Sequence, residues 1–214
     1  MKQIFTLLML SFVLQNFAQE TETETQTDTI RSEKFQPKKG RQLLFNVVSR
    51  VYYILPNQYG DHMLADAHST DGGIGTSLSL LEYKKIRFTG GFEKAFYSVD
   101  DISKAGNFKT TNSTSIHGAL SYDFKLNNHF MIAPSLGYGY NYIRQRWRSE
   151  RNANQYGEHF RIGLITDYAM NKHFAFFIGI HYINSQYKIM TNQAYEDYFG
   201  KSKQVQFTLG IKIH

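Results

Sequence analysis

In the segment Phe130-Met131-Ile132-Ala133-Pro134-Ser135-Leu136-Gly137-Tyr138-Gly139-Tyr140-Asn141-Tyr142 every even position is apolar or aromatic, while the odd positions are mostly small or polar. A helix would mix the two sets. A strand sends successive side chains to opposite faces, so this segment reads as a strand with a different solvent on each side.

The same alternation recurs around Leu43–Tyr53, Ile74–Leu80, Ile86–Phe96, Thr114–Phe124, Phe160–Tyr168, Phe174–Tyr182 and Val205–Ile213. In the last, Val205, Phe207, Leu209, Ile211 and Ile213 share one face, with Gln204, Gln206, Thr208, Gly210 and Lys212 on the other. Most of these segments have the ~9–11 residues that a tilted strand needs to cross a bilayer. The connections alternate: long (Leu55–Gly73), short (Leu81–Lys85), long (Tyr97–Asn112), short (Lys125–His129), long (Arg144–Tyr156), short (Met170–His173) and long (Gln186–Ser202). Short turns at one end and long loops at the other are the pattern of a transmembrane barrel. A soluble sandwich or lipocalin-like barrel also alternates, but it must hide its apolar face inside. With 17 Phe and 15 Tyr among 214 residues, there is no interior large enough to hide them. The predicted fold class is therefore all-β, an eight-stranded antiparallel up-and-down transmembrane β-barrel over residues 42–214.

The start of the chain reads differently. Met1 and Lys2, an apolar run from Ile4 to Val13, and small Ala18 before Gln19 have the layout of a secretory signal peptide, placed at residues 1–19. The alternative, a membrane anchor, would need a longer apolar run and a charged stop. Residues 20–41 repeat Thr with Glu, Gln and Asp, then turn basic at Lys34, Lys38, Lys39 and Arg41. Such a stretch buries too little to offset its chain entropy and is expected to be a flexible periplasmic leader. The absence of Cys excludes disulfides, a thiol nucleophile and Cys-ligated metal.

In pattern, the chain resembles the small eight-stranded outer-membrane β-barrel family, the group that includes OmpX and the membrane domain of OmpA. The resemblance covers Gln42–His214 and rests on Tyr122–Phe130 as strand, turn and strand, on Gly137-Tyr138-Gly139-Tyr140, and on Phe207–Lys212 as a closing strand. It implies residence in the outer membrane of a Gram-negative-type cell with the N-terminus in the periplasm. None of these motifs is catalytic.

Facing then assigns roles. On the lipid side of the fifth segment, Tyr138, Tyr140 and Tyr142 would form an aromatic girdle, with Arg144, Arg146 and Arg148 rising above it. Lys201 and Lys203 continue the lipid side of the eighth segment at the same height, and Lys94 that of the third. Guanidinium groups pair with phosphate oxygens in bidentate fashion, so this rim is a candidate contact for lipopolysaccharide phosphates. The alternative is an ordinary solvated basic loop. A net charge of +6 raises nucleic acid as a partner, but no nucleic-acid motif accompanies it and none is expected.

The opposite facing defines a lumen of Asn46, Arg50, Arg87, Glu93, His117, Asp123, His129, His159, Arg161, Asp167, His173, His181, Gln206 and Lys212. Glu93, His117, Arg161 and His181 fall in the outer half; Arg87, Asp123, Asp167 and Lys212 fall in the inner half. Both signs of charge are present, so ion pairing is expected. An eight-stranded barrel is only wide enough for its own side chains, which makes this filling a plug.

Enzymatic alternatives make specific demands. A palmitoyl-transferring barrel needs an apolar lumen. A lipid A deacylase carries His-x-Ser-Asn, whereas His181-Tyr182-Ile183-Asn184 has Ile183 at the nucleophile's place. Between Asp61 and Asp71 two His and three Asp could ligate a metal, although their spacing fits no metal motif, and solvated polarity is the alternative. Gly72-Gly73-Ile74-Gly75 lacks the Lys of a phosphate loop. No cofactor and no metal are expected. The expected role is non-enzymatic: envelope integrity, lipopolysaccharide contact or binding of an envelope protein partner, with a lipid A-modifying enzyme or a narrow channel as alternatives.

Overall fold

The computed structural model describes residues 47–105, 108–147, 151–189 and 191–214, without the side chains at 147, 151 and 152. The expected signal peptide and leader, Asn46 and Arg148 lie outside the described residues. Within them run eight long strands: β1 (Val48–Gln58), β2 (His68–Tyr83), β3 (Ile86–Val99), β4 (Thr110–Tyr122), β5 (Phe130–Trp147), β6 (Arg151–Ala169), β7 (Phe174–Lys188) and β8 (Lys201–Ile213). Each pairs antiparallel with its chain neighbours, and β8 pairs back onto β1 from Ser49–Ile213 to Gln58–Gln204, which closes the sheet. A two-residue pairing, Phe124–Ile132 and Lys125–Met131, extends the β4–β5 seam past Asp123.

The stagger of this barrel can be read from its ladder. The row leaving Arg50 passes Ser77, Gly91, His117, Gly139, His159 and Ser185 and arrives at Ser202. That is ten residues along β8 from Lys212, the direct partner of Arg50. Eight strands with that stagger tilt by ~40°, and the interior is then just wide enough to be filled by side chains. At this tilt one residue along a strand climbs ~2.5 Å, and one strand along a row climbs ~3 Å.

Exposure alternates along every strand. Val51, Ile74, Ile116, Leu136, Ile162, Ile178 and Leu209 are half or more exposed, whereas their luminal neighbours are buried or half-buried. The apolar set that a soluble barrel would bury is the outer surface here. On β6, β7 and β8 it runs over Phe160–Tyr168, Phe174–Tyr182 and Val205–Ile213, ~23 Å tall at this tilt, close to the ~25 Å apolar band of a membrane barrel.

Two of the short turns use one device. Asn127 Oδ1 accepts from the amides of His129 and Phe130, and Asn171 Oδ1 accepts from those of His173 and Phe174, all at 2.8 Å. These side chains replace backbone partners that so tight a reversal cannot supply.

Several sequence expectations need correction. Among the described residues the first strand is Val48–Gln58, running five residues past the expected end at Tyr53, and β2 is twice as long as expected, with bulges between Thr70 and Gly72 and between Ser79 and Leu81. The connection expected over Arg144–Tyr156 is largely a β-hairpin, paired as far as Trp147 with Arg151. The first and fourth long connections carry helices α1 (Met63–Asp66) and α2 (Gln193–Gly200). His129 and His173 are exposed in turns and do not line the lumen.

Candidate functional site

Arg50, Arg87, Glu93, His117, Asp123, His159, Arg161, Asp167, His181 and Lys212 are all buried and inward. They fall into two groups. In the group nearer the loop end, Arg161 Nη2 lies 3.1 and 3.3 Å from the two oxygens of Glu93, the Tyr52 hydroxyl donates to Glu93 Oε1 at 3.0 Å, and Arg161 Nη1 lies 2.6 Å from His117 Nε2. Nearer the turn end, Asp167 Oδ2 takes Lys212 Nζ at 2.7 Å and Arg50 at 3.4 Å. There Arg87 joins Asp123 at 2.7 Å and Glu82 at 3.3 Å. Opposed charges cancel within each group, as burial away from water requires.

The packing rule behind this filling is a large side chain facing a glycine across the seam. His117 is paired with Gly91 and Gly139, Arg161 with Gly137, and Tyr52 with Gly75 and Gly210. A Cβ on Gly163 would overlap the His181 ring, and one on Gly91 would overlap that of His117. The glycines hold open the volume that the polar residues occupy.

The lumen is not wholly polar. Tyr52 and Phe177 lie between the two charge groups, and the apolar cluster they belong to runs on through Ile54, Ala95 and Tyr97 toward the loop end, with Arg50 held 5.5 Å over the Phe177 ring. The loop end is stoppered by a second cluster in which Met63 and Leu64 of α1 meet Ile143 and Tyr187, with Tyr198 and Phe199 of α2 above. Gln145 contributes a contact to Met63 Sδ at 3.3 Å. Between these layers lie cavities of only about 20 and 50 Å³.

The first connection is thus folded into the barrel. His62 and His68 are buried: His62 Nδ1 accepts from the Ala65 amide at 3.3 Å as the cap of α1, and His68 bridges Met63 O at 3.1 Å and Thr111 Oγ1 at 2.7 Å. Burial holds the pKa of His62 below the ordinary imidazole value. Among the described residues no cluster of three or more His, Asp or Glu is placed to hold a metal.

The outer rim begins where the apolar belt ends. Tyr138, Tyr140, Tyr142, Arg144 and Arg146 succeed one another on the outward face of β5. Tyr142 stacks on Tyr156 at 4.9 Å between centroids, donates to Asn154 Oδ1 at 2.8 Å and accepts from Arg144 Nε at 3.3 Å. Stepping along the ladder places Arg144 and Lys201 at one level, with Tyr142 and Lys203 ~5 Å lower. Two features were not foreseen. Lys201 is paired with Asp197 at 2.7 Å, and Glu158 faces outward among the tyrosines, accepting a short hydrogen bond from Tyr138. Glu158 was missed because the expected sixth strand began at Phe160, although it shares Phe160's facing. Lys94 lies 5.4 Å over the Phe96 ring, with its charge carried toward the loop end.

The deacylase-like tetrad is divided between two faces: His181 and Ile183 point inward and Asn184 outward. Ser185 is luminal and accepts from Asn141 Nδ2 at 2.9 Å.

No protein-family model and no curated protein matches the chain. Solved structures match its fold. Neisserial surface protein A aligns at 11% identity with a TM-score of 0.55, over 78% of this chain and 96% of that one. Ail, the attachment invasion locus protein of Yersinia pestis, aligns at 10% and 0.48 over 78% and 96%. OprG of Pseudomonas aeruginosa aligns at 14% and 0.47 over 78% and 94%. The chain has the fold of the small eight-stranded outer-membrane β-barrels.

Proposed function

We propose that this chain is a non-enzymatic integral outer-membrane barrel that works through its loop end and its basic outer rim, holding lipopolysaccharide against the barrel wall and so supporting envelope integrity. Residues 1–19 would direct export, residues 20–41 would tether the N-terminus in the periplasm, and the long connections would face the outside. The observation carrying this reading is the outward succession Tyr138, Tyr140, Tyr142, Arg144, Arg146 directly above the apolar belt, with Lys201 and Lys203 at matching levels on β8. Tyrosines place the interface, and the cations above them meet phosphate where the dielectric is lower than in bulk water. Arg148 extends the same series beyond the described residues.

An ion-paired lumen stoppered by α1 favours a closed barrel over a channel, and the divided His181 tetrad favours binding over lipid A chemistry. A protein partner in the envelope would engage the same end, through the exposed β5–β6 hairpin. The test is retention of lipopolysaccharide by the purified barrel after Arg144→Ser, Arg146→Ser and Arg148→Ser together. Retention should fall about tenfold, in keeping with the loss of several charge-assisted contacts. Unchanged retention would reject the rim as the contact, and an altered lipid A mass profile in cells carrying the protein would reject the non-enzymatic reading.

A further inference from the structure

The apolar belt is not uniform. Across β6, β7, β8 and β1 it is interrupted by a groove of about 580 Å³, with walls from Leu164, Ile178, Ile180, Phe207, Leu209 and Leu55. Its floor is formed in part by Gly179 and Thr208, paired across the β7–β8 seam. That volume is in the range of pockets that enclose an extended small ligand. At this depth of the belt the surrounding medium is hydrocarbon, so the occupant must be apolar along its length.

What lies above the groove is polar and positioned. Lys203, four residues before Phe207 on the same outward face, stands ~10 Å nearer the loop end. Its backbone is held at the carbonyl, which accepts from the Tyr59 amide at 3.1 Å and lies 3.3 Å from His62 Nε2. Among the described residues its ammonium has no carboxylate within 4.0 Å, unlike Lys201 beside it. Tyr182 follows Ile180 on the outward face of β7, at the upper mouth of the groove.

We propose that this groove seats one acyl chain of the lipopolysaccharide whose phosphate is held by Lys203. The juxtaposition is of an apolar trough and, above it on the same outward face, an ammonium with no carboxylate within 4.0 Å among the described residues, with Tyr182 at the upper mouth. Charge complementarity selects a phosphate-bearing lipid, and the trough selects for a chain lying along the wall in an ordered conformation. The inference rests on the lipopolysaccharide reading of the rim and adds a chain-recognising site below Lys203 on β8, three strands round the barrel from Arg144 on β5.

The two can be tested separately with full-length barrel in detergent, measuring the lipid A retained per barrel after gel filtration. The probes are hexa-acylated lipid A and its fully deacylated form, stripped of both ester- and amide-linked chains, which keeps the same phosphates. The wild type should retain the acylated probe about tenfold better. The groove-filling pair Ile178→Trp and Leu209→Trp should abolish that preference while leaving retention of the deacylated probe unchanged. Arg144→Ser with Arg146→Ser should instead lower both probes alike and preserve the preference. Equal retention of the two probes by the wild type, a preference that survives the filled groove, or displacement of lipid A by equimolar phosphatidylglycerol would each overturn the acyl-chain site. Loss of the preference in the filled variant alongside no effect of the arginine changes would overturn the rim and keep the groove.

Discussion

The interior is organised around single residues whose removal leaves others stranded. Glu93 is the clearest, since it receives Arg161, lies against the Tyr52 hydroxyl and is the one carboxylate in its charge group. Deleting one member of a buried pair leaves the other charge without compensation, which costs ~3–5 kcal/mol, whereas replacing both by apolar groups of similar size is close to neutral. Glu93→Ala should therefore lower stability to urea by about 3 kcal/mol, and Glu93→Leu with Arg161→Met should recover most of that loss. The signals for this group were legible, because Glu93, His117, Arg161 and His181 all share the facing opposite to the aromatic belt. Tyr52, Tyr97 and Phe177 share that inward facing, two or four residues from Arg50, Glu93 and His181, and join them inside. The sequence reading named only polar residues for the lumen, and the inward place of Tyr52 depends on Gly75 and Gly210, its direct partners on the two neighbouring strands.

Among the elements, α1 with its flanking loop is the piece that turns a cylinder into a stoppered one. His62 holds it through one tautomer: Nδ1 accepts the Ala65 amide, which leaves the Nε2 hydrogen for Tyr59 O at 3.0 Å. Protonation of Nδ1 would remove the cap. Burial depresses the folded pKa below its unfolded value near 6.5, so the unfolded loop binds the proton more readily. The stabilising contribution is then complete above pH ~6.5 and is lost as pH falls from there toward the depressed folded value. Amide exchange at Ala65 and Met63, corrected for its intrinsic pH dependence, should accelerate on acidification below pH 6 in the wild type, and His62→Gln should flatten the response. A pH-independent protection would contradict the cap.

These same elements show where period-two reading stops working. In Tyr52-Tyr53-Ile54-Leu55 both faces are apolar, so alternation vanished and β1 was ended five residues short of Gln58. Between Arg144 and Gln155 both faces are polar, and the hairpin persists because β5 and β6 satisfy each other's backbone without needing a hydrophobic face. Gly72, Gly73 and Gly75 weakened the signal of β2 just where a bulge shifts its register. In the fourth connection, Tyr195, Tyr198 and Phe199 at helical spacing, with Asn192 as cap, offered a readable sign of α2.

At the scale of the whole molecule, strand number, closure and the inside-out distribution of apolar residues were all legible, because a single physical contrast, hydrocarbon outside and a filled polar interior, repeats along every strand. That contrast is the central claim, and the lack of native Cys makes it directly measurable. Single cysteines placed at Leu136, Ile162, Ile178 and Leu209, and at Ser135, Ser185 and Thr208 as inward controls, can carry spin labels in a barrel reconstituted into phospholipid bilayers. The outward four should be relaxed strongly by oxygen and weakly by a water-soluble nickel chelate, with oxygen accessibility peaking near Ile178, and the inward three should be shielded from both. Outward labels that respond to the nickel chelate as freely as to oxygen would contradict the account at its foundation.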